Sequence, residues 1–202
     1  MKKYSVIVFD LGNVLIPFDY SLMIKRFNDL KQGLGDNFAD YYKNNYEIHR
    51  NFERGDIPES EFIKKMLNVL ENKIDSATFC NMFSNIFKAN EQVASLLPIL
   101  KRKYKLVLLS NTNSIHHEYG WKTYSFLKNF DKLILSYEVR AIKPEEKIYR
   151  AAEVYTKVPP REHFFIDDIL EYVDGAKKVG WDAVQFSDYD KLVTDLNERC
   201  II

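Results

Sequence analysis

The chain has 202 residues, and 29 Lys and Arg balance 29 Asp and Glu, so the formal net charge is zero. Hydrophobic residues make up 46% and aromatics 14%, enough for a sizeable core. That argues against intrinsic disorder, which combines few aromatics with a large net charge. The balanced charge gives no general attraction to nucleic acid or to acidic lipid, and the length suits one domain, or one domain carrying a smaller insertion.

Taken in chain order, the first β-rich run covers residues 4–9. It is stopped by Asp10 and is too short for a secretory leader. No stretch reaches the roughly 18–20 apolar residues that span a bilayer. Two cysteines, Cys80 and Cys200, cannot build a disulfide framework and read as thiols of a reducing compartment. The expectation is a soluble, cytoplasmic protein. From 16 to 89 no run reads as a strand. Amphipathic helical patterns appear instead, as at 60–71 and 77–87, and a connection of that length implies an inserted helical domain.

Beyond the insertion, 90–103 reads as a helix leading into a strand at 106–109. A helix at 113–128 follows, then a strand at 132–135, a helix at 145–156 and a strand at 163–166. A helix at 169–179, a strand at 183–186 and a helix at 188–198 complete the pattern. Several of these strands are nearly continuously apolar, as strands buried on both faces should be. Their alternation with helices predicts an α/β fold, a Rossmann-like parallel sheet with helices on both faces. The core is then 1–15 and 90–202, and the helical insertion is 16–89.

In such a sheet, ligands bind beyond the carboxyl ends of the strands. The first strand runs into Asp10-Leu11-Gly12-Asn13, and the second into Ser110-Asn111-Thr112-Asn113. The third is followed by a loop with Lys143-Pro144, and the fourth ends in Asp167-Asp168. Three carboxylates, a hydroxyl and a lysine would thus converge on one edge. Crowded carboxylates repel unless a cation intervenes, and hard oxygen ligands suit Mg²⁺.

The four segments Phe9-Asp10-Leu11-Gly12-Asn13-Val14-Leu15, Leu109-Ser110-Asn111-Thr112-Asn113, Lys143-Pro144 and Phe165-Ile166-Asp167-Asp168, in this order, resemble the haloacid dehalogenase (HAD) superfamily of hydrolases. The branch most resembled includes sugar-phosphate phosphatases of the α-D-glucose-1-phosphate phosphatase type. Residues 16–89 resemble that superfamily's helical cap domain. The resemblance implies that Asp10 is a nucleophile forming an aspartyl-phosphate, with Ser110 and Lys143 holding the phosphoryl group. It implies Mg²⁺ on Asp10, the Gly12 carbonyl and Asp168, with Asp167 contributing directly or through water. Backbone amides around Leu11–Asn13 and Asn111 would hold the remaining oxygens.

Two positions depart from the superfamily pattern. Gly12 stands where most of its phosphatases carry a second Asp as general acid and base, a group worth about 10²–10⁴-fold. Asp19, Asp167 or His116 could substitute, the leaving group could need little protonation, or the protein could act mainly by binding. Tyr172 stands where Asp or Asn is more frequent, which removes outer support for the metal.

Asn113 reads as the N-cap of the helix carrying His116 and His117. His117 reads as exposed, while His116 is a candidate for the site, as a histidine near a cleft can shuttle protons. Asp19 reads as the cap of the first helix of the insertion. Glu53-Arg54-Gly55 reads as a turn between helices, with Arg54 or Glu53 a candidate for reading substrate. The basic run Lys101-Arg102-Lys103-Tyr104-Lys105 closes a helix, where cations offset its dipole. The expected function is a Mg²⁺-dependent phosphatase of a small phosphorylated metabolite, acting as a monomer or homodimer with no nucleic-acid or membrane partner. The alternatives are displacement at carbon, as in a dehalogenase, and a catalytically weak binding or scaffold protein.

Overall fold

The computed structural model describes residues 3–202; Met1 and Lys2, at the start of the expected core segment 1–15, lie outside the described residues. Strand β1 (Val6–Phe9) is followed by five helices, α1 (Tyr20–Leu30), α2 (Leu34–Asn44), α3 (Tyr46–Arg54), α4 (Glu59–Val69) and α5 (Ser76–Ser84). Next come α6 (Glu91–Ala94), α7 (Leu97–Lys101), β2 (Lys105–Ser110), β3 (Lys132–Leu135), α8 (Ser136–Val139) and α9 (Glu146–Thr156). The chain finishes with β4 (His163–Asp167), α10 (Leu170–Lys178), β5 (Asp182–Gln185) and α11 (Tyr189–Glu198). The five strands form one sheet in the order β3-β2-β1-β4-β5, and every neighbouring pair is parallel.

Side chains alternate across a strand, and both faces of this sheet are covered. Ile7, Phe9, Leu106, Leu108, Phe164 and Ile166 pack with α6, α7 and α11. Val6, Val8, Val107, Leu109 and Phe165 pack with α9 and α10. This double burial is why the strands read as nearly unbroken apolar runs.

The helices between β1 and β2 have their own core, built on Phe27, Phe38, Phe52, Phe62, Phe79 and Phe83. Asp19 caps α1 by accepting from the Ser21 amide at 2.9 Å, and Asp75 caps α5 by accepting from Thr78 at 2.7 Å. The two connections run side by side. Asp19 N donates to Ile86 O at 3.0 Å and Lys88 N to Pro17 O at 3.0 Å, with an antiparallel bridge between Phe18 and Phe87.

Two expected helices are not continuous. The 90–103 segment divides into α6 and α7 because Pro98, in the first turn of α7, has no N–H to extend the ladder. The 113–128 segment becomes a π-helical turn, His116–Trp121, and a separate 3₁₀ turn, Ser125–Asn129. Lys122 N bonds to His117 O, five residues back. Residues five apart face different ways in an α-helix, but the wider π turn puts them on one side. His116 and Trp121 are accordingly both buried. Gly120 permits the close packing, because a Cβ there would lie 2.7 Å from the Phe87 ring.

Gly55 ends α3 at φ +82°, a left-handed conformation open to glycine. A Cβ at Gly55 would also collide with the Tyr137 carbonyl at α8. Gly55→Ala should therefore destabilise the protein by at least about 1–3 kcal/mol, read as a lower urea midpoint. An unchanged midpoint would show that this contact yields freely.

Candidate active site

Beyond the carboxyl ends of β1, β2 and β4 lies a cleft of about 150 Å³. Its floor is a set of charges. Lys143 is only 1% exposed, and its Nζ lies 2.7 Å from Asp10 Oδ1 and 2.6 Å from Asp167 Oδ2. One carboxylate oxygen each from Asp10, Asp167 and Asp168 falls within 4.8 Å of the others. Such a set of hard oxygen donors fits a divalent cation of the Mg²⁺ type.

Two carboxylates pair with one ammonium here and a third stands close by, and the titration behaviour follows. Burial pushes the Asp10 carboxyl up, against the pull of Lys143 and helped by the nearby Asp167 and Asp168 charges. Burial also raises Asp168, opposed by a hydrogen bond from Asn13, whose Nδ2 donates at 3.1 Å. For Lys143 burial acts downward, but the charges of Asp10 and Asp167 overcome it and hold the ammonium well above its ordinary range.

The structure brings Asp10, Gly12, Ser110, Asn111, Lys143 and Asp168 to the cleft. Asp167 stands behind them, fully buried, with Oδ2 on Lys143 and Oδ1 accepting from the Ile169 amide at 2.8 Å. It both holds the lysine and starts the turn into α10. The Asn111 side chain clamps the lysine loop, accepting from Lys143 N at 2.7 Å and donating to Lys143 O at 3.2 Å. Tyr172 borders the cleft too, with its ring 5.0 Å from Lys143 Nζ. An aromatic face, attractive to cations, takes the place of a polar side chain.

Arg54 is a correction. It does not border the cleft; its guanidinium pairs with Glu145 and lies 3.8 Å from Asp56. This ties the end of α3 to α9, so Arg54 joins two parts of the chain and is not free to read substrate. Asp19 is likewise spent as a helix cap and lies outside the cleft lining. His117 is half-buried, stacked on Trp121 with ring centroids 4.4 Å apart.

His116 borders the cleft but cannot donate a proton near neutrality. Burial pushes it down to about 3 from the ordinary 6.5, helped by the nearby His49. Its backbone N–H donates to Asn113 Oδ1 at 2.9 Å, so Asn113 caps this segment. Tyr20, Tyr46, His49 and Glu53, from the helices between β1 and β2, complete the cleft together with Phe18 and Phe87. Sequence reading missed His49. The available signal was its i, i+4 spacing to Glu53 on one helix face, where the two side chains meet at 3.2 Å.

The haloacid dehalogenase-like hydrolase family matches the chain over residues 7–186. The chain is 26% identical over 189 residues to the D-ribitol-5-phosphate phosphatase of Bacteroides thetaiotaomicron, covering 89% of this chain and 90% of that protein. A crystal structure of a HAD family enzyme from the same organism, in complex with magnesium and inorganic phosphate, superposes with a TM-score of 0.78. It is 26% identical and covers 94% of this chain and 98% of its own. The L-2-haloacid dehalogenase of Xanthobacter autotrophicus, with chloropropionic acid covalently bound, has a similar fold at a TM-score of 0.66 and 18% identity. The match covers 98% of this chain and 84% of that one.

The buried His116 sets a pH dependence of stability. Its folded value lies below the unfolded one, so the unfolded chain binds the extra proton first as pH falls. The full stability is present above pH 6.5 and is lost between 6.5 and about 3. Through that window His116 contributes a slope of about 1.4 kcal/mol per pH unit. Urea titrations between pH 6 and 4 should give a shallower loss for His116→Phe than for wild type, and equal slopes would contradict the assignment.

Proposed function

The chain belongs to the haloacid dehalogenase-like hydrolase family, and from that premise we propose that it is a Mg²⁺-dependent phosphatase of a small phosphorylated metabolite of the sugar- or polyol-phosphate kind. The observation that carries this reading is the meeting of Asp10, Asp167 and Asp168 with Lys143 at one edge of the sheet. Similarity to a polyol-phosphate phosphatase and to an enzyme crystallised with magnesium and phosphate supports it.

In this reading Asp10 is the nucleophile. Its carboxylate oxygen bonds to phosphorus as the bond to the leaving oxygen breaks, and with glycine at position 12 the departing alkoxide takes its proton from solvent water. Water then cleaves the aspartyl-phosphate, releasing inorganic phosphate and freeing Asp10. Covalent catalysis divides one hard displacement into two easier ones, and phosphoryl transfer needs chiefly positioning and charge neutralisation. Lys143 balances charge on the nucleophile and the phosphoryl group, while Ser110 donates to a phosphoryl oxygen. Asp10, the Gly12 carbonyl and Asp168 would hold Mg²⁺. Both Asp167 oxygens already have partners, which favours a contribution through water. The metal supplies charge neutralisation for the transferring group.

Helices α1–α5, the 16–89 insertion, act as a cap over the cleft, excluding water and supplying specificity. A cleft of about 150 Å³ suits one small metabolite. Two free cysteines, Cys80 buried and Cys200 exposed, accord with a cytoplasmic setting. Among the described residues no helix is long and apolar enough to cross a membrane.

With Mg²⁺, the purified protein should release phosphate from a panel of sugar and polyol phosphates. Asp10→Asn should lower kcat by about three orders of magnitude or more, with Lys143→Met also strongly impaired. EDTA should abolish activity and added Mg²⁺ should restore it. Full activity in Asp10→Asn, or no hydrolysis of any ester, would sink the proposal. Halide release from 2-chloropropionate that survives EDTA would support displacement at carbon instead.

A further inference from the structure

On the cap side of the cleft, two hydrogen-bond acceptors are fixed in place before any ligand arrives. The first is on His116. Ser84 Oγ lies 3.1 Å from the Ile115 carbonyl oxygen and 3.3 Å from His116 Nδ1. A carbonyl only accepts, so the single hydroxyl proton goes to Ile115 and the Ser84 oxygen faces Nδ1 as an acceptor. Nδ1 of the neutral ring therefore carries the proton, and Nε2 is a bare lone pair. That Nε2 is buried without a partner, in a residue 5% exposed that borders the cleft. Stacking on Phe83 at 4.4 Å and 6°, with the Phe87 edge at 5.1 Å, fixes the ring. An unmet buried acceptor is costly, and among the described residues nothing meets this one.

The second acceptor is Glu53. His49 Nε2 lies 3.2 Å from its carboxylate, and a carboxylate accepts, so Nε2 carries the proton. Nδ1 of the same ring is in contact with the Tyr42 hydroxyl. The chain from Tyr42 through His49 orients Glu53, which borders the cleft beside Tyr20 and Tyr46. Arg50 stands within electrostatic range of Glu53 and donates to the Tyr172 hydroxyl at 3.1 Å. Its charge offsets that of Glu53, so the cap side offers acceptors without a net call for a cation.

We propose that Glu53 and His116 Nε2 form an acceptor pair across the cap–core seam that selects phosphate monoesters whose leaving group carries several free hydroxyls. The inference rests on the phosphatase reading and goes beyond it by assigning specificity to two residues. Each hydroxyl both donates and accepts, so a polyol chain can donate to Glu53 and to His116 while meeting the hydroxyls of Tyr20 and Tyr46. A site built to bond a hydroxyl rejects the analogue that lacks it, because its buried polar groups are then left unpaired.

The test compares D-ribitol 5-phosphate with n-pentyl phosphate, a primary ester of equal chain length without hydroxyls, and with O-phosphoethanolamine. The readout is the ratio of kcat/KM values. Wild type should favour the polyol ester over the pentyl ester by about 10- to 100-fold. His116→Phe keeps the ring stack but removes the acceptor, and Glu53→Gln keeps the shape but not the charge. Each should lower the ratio by about 3- to 10-fold, the other acceptor remaining, mainly through KM for the polyol ester. A wild-type ratio near one, a ratio retained in both variants, or a preference for O-phosphoethanolamine overturns the proposal. Turnover of n-pentyl phosphate without discrimination overturns this inference alone, whereas turnover of none of the three, nor of any ester in the wider panel, removes the phosphatase reading as well.

Discussion

A lysine ammonium held between two buried carboxylates organises this molecule. Lys143 Nζ contacts Asp10 and Asp167 at 2.7 and 2.6 Å in a place almost closed to water. An unpaired ammonium there would cost several kcal/mol, and so would unpaired carboxylates, so each group requires the others. The sheet supplies the meeting point. In the parallel register of β1 and β4, Phe9 lies opposite Ile166, so Asp10 and Asp167 emerge side by side. Lys143 arrives from the loop after α8, where Asn111, just past the end of β2, grips its backbone at both N–H and C=O.

The charge cluster then shapes what surrounds it. Asp167 spends its second oxygen on the Ile169 amide, which sets the start of α10. The Tyr172 ring from α10 faces the ammonium, and its hydroxyl accepts from Arg50 of α3. A contact that begins at the lysine thus reaches the helices over the cleft. Arg54 with Glu145, and the close approach of Gly55 to Tyr137, add further ties across the same seam. On the other side of the cleft, the π turn pushes His116 inward against Phe83 and Phe87, with one nitrogen left bare. The cleft therefore has a charged floor and, from the helices between β1 and β2, a lining of Tyr20, Tyr46, His49 and Glu53.

Much of this was legible residue by residue. All five strands were visible, most clearly β1, β2 and β4, because strands covered on both faces are nearly continuously apolar and end abruptly in polar residues. Asp10, Ser110 and the Asp167-Asp168 pair stand at those ends, where the chain leaves the sheet. Other features were hidden for physical reasons. The break at Pro98 and the π turn at His116–Trp121 depend on how the segments pack, since periodicity alone cannot distinguish a continuous helix from one widened to bury two more side chains. Arg54 looked available because a lone arginine carries no sign of its partner, and Glu145 lies 91 residues away. His49 was missed because its partners, Tyr42 and Glu53, make an inward-facing polar chain that a helix pattern does not distinguish from an apolar stripe.

By itself the sequence determined the strand-and-helix alternation, the inserted helical segment and the inventory of charged groups at strand ends. These depend on local patterning and on where polar residues interrupt apolar runs. Only the tertiary structure decided which charges meet, which side chains are already spent on partners, and which polar atoms are left bare. Those outcomes depend on distances between segments that are remote in the chain. The zero net charge of the whole illustrates the difference, because composition sums charges that folding has gathered, at this one edge, as three neighbouring carboxylates, two of them paired with a single lysine.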